Sequence, residues 1–394
     1  MEIEGRVLDA ALLELIESGG AVGASVLVYS GDHEIYFGAV GQADRESGRP
    51  WQRDTLAAIY SMTKPITGVT LMSLYEDGLF ELDDPLAKYL PEYAEVKVFS
   101  GTDASGELLL EPPSRPIEVI DLLRHTAGFG YDWGDSPIAL RMAEAGVLDP
   151  AKPLSQFSEE LAEIPLFHHP GEQWKYGVAV DVQARLAEVL AGQPYETIVH
   201  ERVLGPLGMT DTGYHVHASK RPRLAAVYNR YQDGAINREP NASVYSFWDK
   251  KPVQINGGHG LISTADDYMR FARMLQNGGT LDSVEILKPE TVALMTRDQL
   301  PDTVTEWDFL KGKGQMGFGL DFAVRIAPPA DANEPFGVEG EFFWDGAATT
   351  LFWVDPKNDI TVVFLTQVFP FDLKIHAKVR RALYEALGLI DTTP

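Results

Sequence analysis

The sequence predicts a mixed α/β (α+β) fold in which an antiparallel β-sheet, flanked by helices, carries an inserted, mostly helical lobe. Two observations predict it: strand patterns lie at both ends of the chain, and helix patterns fill the middle. The 394 residues, 45% of them hydrophobic, suffice for two such units. We therefore expect a sheet domain over 1–85 and 285–394, a helical domain over 86–284, and an active site in the cleft between them.

The N-terminal part begins with an amphipathic helix, because apolar residues recur at helical spacing up to the glycine pair at 19–20. Residues 21–30 then form a pattern typical of a buried strand, and residues 33–41 alternate enough to pair with it across a tight turn. Residues 61–78 are apolar nearly all round and end at a glycine, which predicts a buried helix.

The middle of the chain starts with loops over 80–120, which include a short hairpin near Gly106. Helices are then predicted at 116–125, 137–147, 155–163, 178–191, 194–204 and 264–277, the last with Thr264 as its N-cap. Strand patterns return at 314–326, 335–343, 347–354 and 360–367, and a helix over 371–387 follows. This order places strands at both ends of the chain and helices between them.

The composition excludes several classes of function. The chain has no cysteine, which excludes disulfides, thiolate nucleophiles and cysteine-based metal centres. A formal net charge of −25 disfavours nucleic-acid binding, since phosphate backbones require a positive surface; a solubilising acidic surface is the simpler interpretation. The start M-E-I-E-G-R does not look like a secretory signal, and no apolar run reaches the length of a membrane span. We therefore expect a soluble cytoplasmic protein.

The motif with chemical meaning is Y-S-M-T-K-P at residues 60–65. S-x-x-K occurs once in the chain, at Ser61 and Lys64, and a chance pair on a surface helix is the simple alternative. Pro65 is tolerated only in the first turn of a helix, so the buried helix should begin close to the serine. Hydroxyl and amine then meet at the helix N-terminus, where the dipole and burial both lower the pKa of the lysine. A neutral amine can activate a serine hydroxyl as a nucleophile.

This motif resembles the first of the three motifs that define the serine β-lactamase and penicillin-binding-protein superfamily. The second-motif form Y-x-N is absent, but a Pro-Gly pair at 170–171 precedes W-K-Y-G-V-A-V-D-V at 174–182. That stretch is similar to the pattern of the superfamily's esterase branch, the family VIII carboxylesterases. The resemblance implies a β-lactamase/transpeptidase-like fold and places Tyr176 in the second motif; a core aromatic is the alternative.

The third motif of the β-lactamases, K-[ST]-G on a strand, is also absent. Residues 342–356, F-F-W-D-G-A-A-T-T-L-F-W-V-D-P, are similar to the W-G-G-A…W-V-D-P stretch of the esterase branch, which puts Trp344, Asp345 and Gly346 at the third-motif positions. Asp345 departs from the glycine that is usual there. Because a strand alternates its faces, only one of Trp344 and Asp345 is expected to face the cleft, as an apolar wall or as a charge that repels anions.

Three further stretches resemble segments of the superfamily: D-L-L-R-H-T-A-G at 121–128, L-G-P-L-G-M at 204–209, and G-G-H-G-L-I-S-T-A-D-D-Y-M-R-F at 257–271. Each stretch is weak alone, but all the pieces follow in the expected order. The resemblance therefore covers the chain from about residue 10 to about residue 385.

The resemblance implies acyl transfer in two steps. Ser61 attacks an ester carbonyl, Lys64 and Tyr176 share the general-base role, and water then releases the acyl group. The backbone N–H groups of Ser61 and Ala347 are implied as the oxyanion hole. The sequence leaves open which of Lys64 and Tyr176 takes the first proton. The implied partner is a small-molecule ester, with no metal or other cofactor.

The leading interpretation is a carboxylesterase for short-chain esters. β-Lactamase, D-amino-acid peptidase, amide hydrolase and acyltransferase activities stay open on the same fold, and a non-catalytic binding protein is the alternative from another class. The histidine pairs at 168–169 and 215–217 lie in predicted loops and lack an H-x-H-x-D-H pattern, so they predict no metal site. His125 is expected as a satisfied core histidine beside the site, and His259 as a residue that lines the pocket.

Overall fold

The computed structural model describes residues 3–131, 133–239, 251–304, 306–331 and 334–390. Within these ranges the strands are β1 (Gly23–Ser30), β2 (His33–Asp44), β3 (Arg49–Pro50), β4 (Ala57–Ala58), β5 (Val98–Thr102), β6 (Leu108–Glu111), β7 (Tyr228–Arg230), β8 (Ile236–Arg238), β9 (Ile262–Ser263), β10 (Thr280–Leu281), β11 (Val284–Glu285), β12 (Met316–Phe318), β13 (Ala323–Arg325), β14 (Phe342–Asp345), β15 (Leu351–Asp355), β16 (Ile360–Thr366) and β17 (Val368–Phe369). The α-helices are α1 (Gly5–Glu17), α2 (Thr63–Glu76), α3 (Val119–Leu123), α4 (Pro137–Ala145), α5 (Leu154–Ala162), α6 (Ala179–Ala191), α7 (Tyr195–Val199), α8 (Ala265–Gln276), α9 (Pro289–Met295) and α10 (Leu373–Ala386).

The centre of the molecule is an eight-stranded sheet in the order β12-β13-β14-β15-β16-β1-β2-β3. Every neighbouring pair in it is antiparallel. β1 pairs with β16 along its length, from Ala24 opposite Thr366 to Ser30 opposite Ile360. The sheet thus joins strands from both ends of the chain, and the predicted α/β class is confirmed.

Helices cover both faces of the sheet. Successive side chains of a strand point to opposite faces, and every residue of β15 and β16 is buried, so both faces must be covered. On one face, Phe352 of β15 packs against Tyr268 of α8, with 5.0 Å between the ring centroids. On the other face, the guanidinium of Arg380 in α10 lies 4.6 Å from the ring centroid of Trp353, and α10 packs against α1. α8 lies in the range 86–284 predicted for the helical domain, yet it belongs to a layer on the sheet.

The helix that begins beside Ser61, α2, lies in the interior, and its residues from Thr63 to Leu74 are all buried. It packs against α6 and α7, and α6 in turn contacts α3 and α5. An apolar surface on every side of α2 is what this position requires, and it is the pattern the sequence shows. None of the helices in the described ranges is long and apolar enough to cross a membrane.

Candidate active site

Ser61 lies in a short 3₁₀ turn, Tyr60–Met62, that runs directly into α2. Tyr60 has a φ of 47°, a conformation that residues other than glycine rarely adopt, so the chain turns sharply just before the serine. Ser61 is half-buried, whereas the residues on either side of it are buried. The turn therefore leaves the serine accessible at the N-terminus of a buried helix.

Pairing to distant parts of the chain holds this turn in place. β4, just before the turn, pairs antiparallel with β9, and the Ile59 N–H donates to the Leu261 carbonyl at 3.1 Å. The hydroxyl of Tyr268 in α8 donates to the Met62 carbonyl at 2.8 Å. The position of Ser61 is thus set by α8 and by the strand before it.

The Lys64 side chain is 1% exposed and its Nζ reaches three oxygen atoms. It lies 3.3 Å from Ser61 Oγ, 3.1 Å from the hydroxyl of Tyr131 and 2.8 Å from the Gly258 carbonyl. Burial lowers the pKa of Lys64 to about 8, although the Asp181 carboxylate and, more weakly, two further aspartates oppose this effect. A neutral amine is therefore accessible near physiological pH, within reach of the serine hydroxyl.

Tyr176 lies three residues before α6, and its buried ring contacts Lys64. Lys64 Nζ is 4.6 Å from the ring centroid of Tyr176, and the Trp344 indole N–H donates to its hydroxyl at 3.3 Å. Burial raises the pKa of the Tyr176 phenol and outweighs the opposite effect of its hydrogen bonds with Ser61 and Trp344. The structure thus brings Ser61, Lys64 and Tyr176 together.

Tyr131 is a site residue that the sequence patterns did not identify. It is half-buried, accepts a hydrogen bond from Lys64, and packs its ring 5.7 Å from that of Tyr176. The ring of Trp133, which is 68% exposed, stacks on the Tyr131 ring with 4.1 Å between the centroids. The sequence signal that could have found Tyr131 is its place three residues after the H-T-A-G stretch at 125–128.

At the third-motif positions the two candidate side chains lie on opposite faces of β14. Trp344 shares a face with Phe352 and points towards the site, where it packs 5.4 Å from the ring of Tyr176. Asp345 is opposite Leu351 and forms a buried ion pair with Lys313, a residue that the sequence patterns did not single out. Of the two side chains, Trp344 is therefore the one on the Tyr176 side of β14, where it is 1% exposed, and the charge of Asp345 is already compensated. The role of Trp344 as a substrate wall stays a prediction.

Gly346 and Ala347 follow β14 and run beside the serine turn. A Cβ on Gly346 would collide with the Ile59 carbonyl and with the hydroxyl of Thr350, so only glycine allows the backbone to approach this closely. Ala347 is exposed. This placement is compatible with the predicted oxyanion-hole role of Ala347, which stays a prediction.

The two histidines singled out from the sequence occupy different environments. His259 is exposed, follows Gly258 directly, and lies 3.4 Å from the Asn256 amide through its Nε2. His125 is buried against Tyr176, with 5.1 Å between the ring centroids. The expected core position beside the site is confirmed. The expected hydrogen bonding is not, because neither ring nitrogen of His125 has a hydrogen-bond partner within the described residues, and Nε2 comes only to 3.9 Å from Asp321 Oδ1. Burial holds the pKa of His125 well below its usual value.

Comparisons with known proteins agree with the motifs and with the geometry. The Beta-lactamase family model matches residues 8–385. Protein Rv1367c of Mycobacterium tuberculosis (strain ATCC 25618 / H37Rv) is 36% identical over 401 residues, covering 100% of this chain and 96% of its own length. Esterase EstB of Burkholderia gladioli is 31% identical over 379 residues, covering 91% of this chain and 89% of its own length.

The fold agrees as well. The solved structure of EstCE1, described as a hydrolase with promiscuous acyltransferase activity, superposes with a TM-score of 0.81 at 25% identity, covering 96% of this chain and 98% of the other. The resemblance seen in the sequence motifs is thereby confirmed, together with the β-lactamase/transpeptidase-like fold. The chain belongs to the Beta-lactamase family of serine hydrolases, and its relatives include esterases.

Proposed function

We propose that the protein is a serine carboxylesterase that hydrolyses short-chain esters through an acyl-enzyme on Ser61. The observation that carries this proposal is the buried Lys64 amine, with a pKa of about 8 and 3.3 Å from Ser61 Oγ. A base with a pKa close to the working pH is well suited to remove the proton of a serine hydroxyl.

In the first step the neutral Lys64 amine takes the Ser61 proton while Oγ bonds to the ester carbonyl carbon. The carbonyl oxygen becomes an oxyanion, for which the N–H groups of Ser61 and Ala347 are the proposed donors. The carbon–oxygen bond to the alcohol then breaks, and the leaving oxygen takes a proton. Water adds to the acyl-enzyme with the same base, and Ser61 recovers its proton as the acid leaves.

Tyr176 has a different part in this scheme from Lys64. Because burial raises the pKa of its phenol, Tyr176 enters the reaction protonated, so Lys64 is the better first acceptor. The Tyr176 ring contacts Lys64 and its hydroxyl contacts Trp344, so the phenol can pass its proton to the leaving alcohol and regain one from the Lys64 ammonium, which restores the neutral amine for the attack of water. This assigns an order to the two residues that share the general-base role.

The wall of the site favours neutral substrates. Phe309 is 41% exposed and packs 5.1 Å from the ring of Tyr176, and Trp344, which is 1% exposed, supports the same ring from the core. The cation beside this wall, Lys313, is already paired with Asp345. We therefore expect neutral esters of acids of about two to six carbons to be preferred over penicillins by more than roughly 10³-fold in kcat/KM.

The test is a panel of p-nitrophenyl esters, cephalosporins, penicillins and small amides, with Ser61→Ala as the matched control. A fluorophosphonate probe should label the unsubstituted protein at Ser61 and leave Ser61→Ala unlabelled. No labelling would indicate a non-catalytic binding protein, and efficient penicillin hydrolysis would replace the esterase proposal by a β-lactamase.

Acyl transfer to an alcohol is the second candidate function. The observation that favours it is the similarity to EstCE1, whose description includes promiscuous acyltransferase activity. An alcohol in place of water would attack the same acyl-enzyme, with no further group required. Adding a short alcohol to the ester assay and measuring the new ester against the free acid separates transfer from hydrolysis.

A further inference from the structure

A buried carboxylate, Asp181, is linked to Lys64 through the backbone of a single residue, Gly258. Asp181 lies in the first turn of α6 and is 3% exposed. Its Oδ1 accepts a hydrogen bond from the Gly258 N–H at 2.9 Å. The Gly258 carbonyl in turn accepts a hydrogen bond from Lys64 Nζ at 2.8 Å. The carboxylate and the amine therefore hold the two polar groups of a single glycine.

The segment that carries Gly258 is fixed on several sides. Thr67 of α2 donates its hydroxyl to the Gly257 carbonyl at 2.6 Å, and the Tyr195 hydroxyl donates to Thr67 at 2.6 Å. A Cβ on Gly257 would collide with the Val180 carbonyl, so the backbone passes against α6 without room for a side chain. The Gly258 carbonyl thus has little freedom to move away from Lys64.

Asp181 also acts on Lys64 through its charge. Within the described residues, the amine forms polar contacts with Ser61, Tyr131 and Gly258, and all three of these groups are uncharged. Among the charges that favour the protonated amine, Asp181 has the largest effect. The other titratable groups that face Lys64 are Tyr131, Tyr176, His125, His259, Asp321 and Asp345.

We propose that Asp181 is a positioning residue for Lys64: it anchors Gly258, whose carbonyl orients the amine, and it supplies the main negative charge that balances the protonated amine. This inference rests on the proposed role of Lys64 as the base for Ser61. It assigns a function to a residue that lies five positions after Tyr176 and does not touch the reacting atoms.

Two substitutions separate the charge of Asp181 from its hydrogen bond. Asp181→Asn removes the charge but retains an oxygen that can accept the Gly258 N–H. Without the negative charge the protonated amine is less stable, so the acidic limb of the pH profile should move to lower pH by about one unit. Asp181→Ala should move the limb in the same direction and also lower the maximal rate at least about tenfold, since the Gly258 carbonyl loses its anchor.

Asp321→Asn is the matched control. Asp321 is a buried aspartate whose charge also favours the protonated amine of Lys64, but less strongly than that of Asp181, and its carboxylate bonds to Gln183 rather than to Gly258. Asp321→Asn should therefore move the limb less than Asp181→Asn does, and it leaves the Gly258 hydrogen bond in place.

The primary readout is the pH dependence of the rate at which a fluorophosphonate labels Ser61, which needs no ester turnover; the pH profile of kcat/KM for p-nitrophenyl butyrate is the second. A limb that stays in place in Asp181→Asn, or moves equally in Asp321→Asn, would overturn the proposal. Labelling without ester turnover would overturn only the proposed substrate, and no labelling of the unsubstituted protein would overturn both.

Gly258→Ala probes the same link from the other side, should Asp181→Asn not fold. The added methyl group would stand 3.0 Å from Asp181 Oδ2 and 3.2 Å from Lys64 Nζ, so carboxylate and amine must move apart. The acidic limb should again move to lower pH. An unchanged limb in this variant would count against Asp181 as the balancing charge.

Discussion

The environment of Lys64 predicts how the proposed ester hydrolysis should depend on pH. Burial lowers the pKa of its amine to about 8, and only the neutral form can take a proton from Ser61. The neutral fraction is then about one tenth at pH 7, one half at pH 8 and nine tenths at pH 9. We therefore expect kcat/KM for a neutral ester to rise about tenfold between pH 7 and pH 9, with its midpoint near pH 8.

The assay is the initial rate with p-nitrophenyl butyrate at fixed ionic strength, after subtraction of the rate with Ser61→Ala at each pH to remove spontaneous hydrolysis. Lys64→Arg is the control for charge, because a guanidinium stays protonated throughout this range. It should lower kcat/KM by about 10²-fold or more at every pH. A flat profile between pH 6 and pH 9, or an active Lys64→Arg variant, would refute Lys64 as the base.

Other substitutions test the remaining parts of the site. Ser61→Ala should abolish ester turnover while circular dichroism and the unfolding temperature stay close to those of the unsubstituted protein; residual turnover above a few per cent would place the nucleophile elsewhere. Tyr176→Phe should lower kcat by about 10²-fold. Combining it with Lys64→Ala should lower kcat by much less than the product of the two single effects. Full additivity in log kcat would mean that the two residues do not share a proton. Asp345→Ala should lower the free energy of unfolding in urea by about 3–5 kcal/mol, because it leaves Lys313 buried without its partner. Adding Lys313→Met to that variant should restore much of the loss, and a small effect of Asp345→Ala would mean that the pair is solvated.

Regular elements with a clear periodicity could be predicted from the sequence. The strand pattern at 21–30 corresponds to β1, and the helix predicted at 264–277 corresponds to α8, where Thr264 caps the helix by accepting the Asp267 N–H at 3.2 Å. Both rest on local preferences: a continuous apolar run for the buried strand, and helical spacing of apolar residues with a hydroxyl at the start for the helix.

Prediction was poorer where the backbone leaves regular geometry. The strand predicted over 314–326 is interrupted: β12 and β13 are separated by a turn in which Asp321 has a φ of 63°. The strand predicted over 335–343 begins only at Phe342. Apolar runs of this kind cannot reveal where a chain reverses, since the turn is stabilised by contacts such as the hydrogen bond from the Asp321 N–H to the Leu123 carbonyl.

Some residues of the candidate site could likewise be predicted from the sequence, and others could not. Ser61 and Lys64 could be paired from the sequence, because residues three apart at the start of a helix lie on one face, and Tyr176 could be added through the order of the motifs. The two other partners of Lys64, Tyr131 and Gly258, could not be predicted from the sequence. They lie 67 and 194 residues away from it and meet its amine only when the helical lobe packs on α2.

The charge pattern of the site also depends on folding. The alternation of a strand left Trp344 and Asp345 as equal candidates for the cleft, and the register of β14 with β15, which places Trp344 opposite Phe352, selects the tryptophan. Asp345 also pairs with Lys313, which compensates a negative charge for which the sequence patterns indicated no partner. Local sequence thus encodes the pairing of Ser61 with Lys64, because short-range geometry is enough for it. The pKa of Lys64 and the polarity around Trp344 arise instead from burial and from contacts between distant segments.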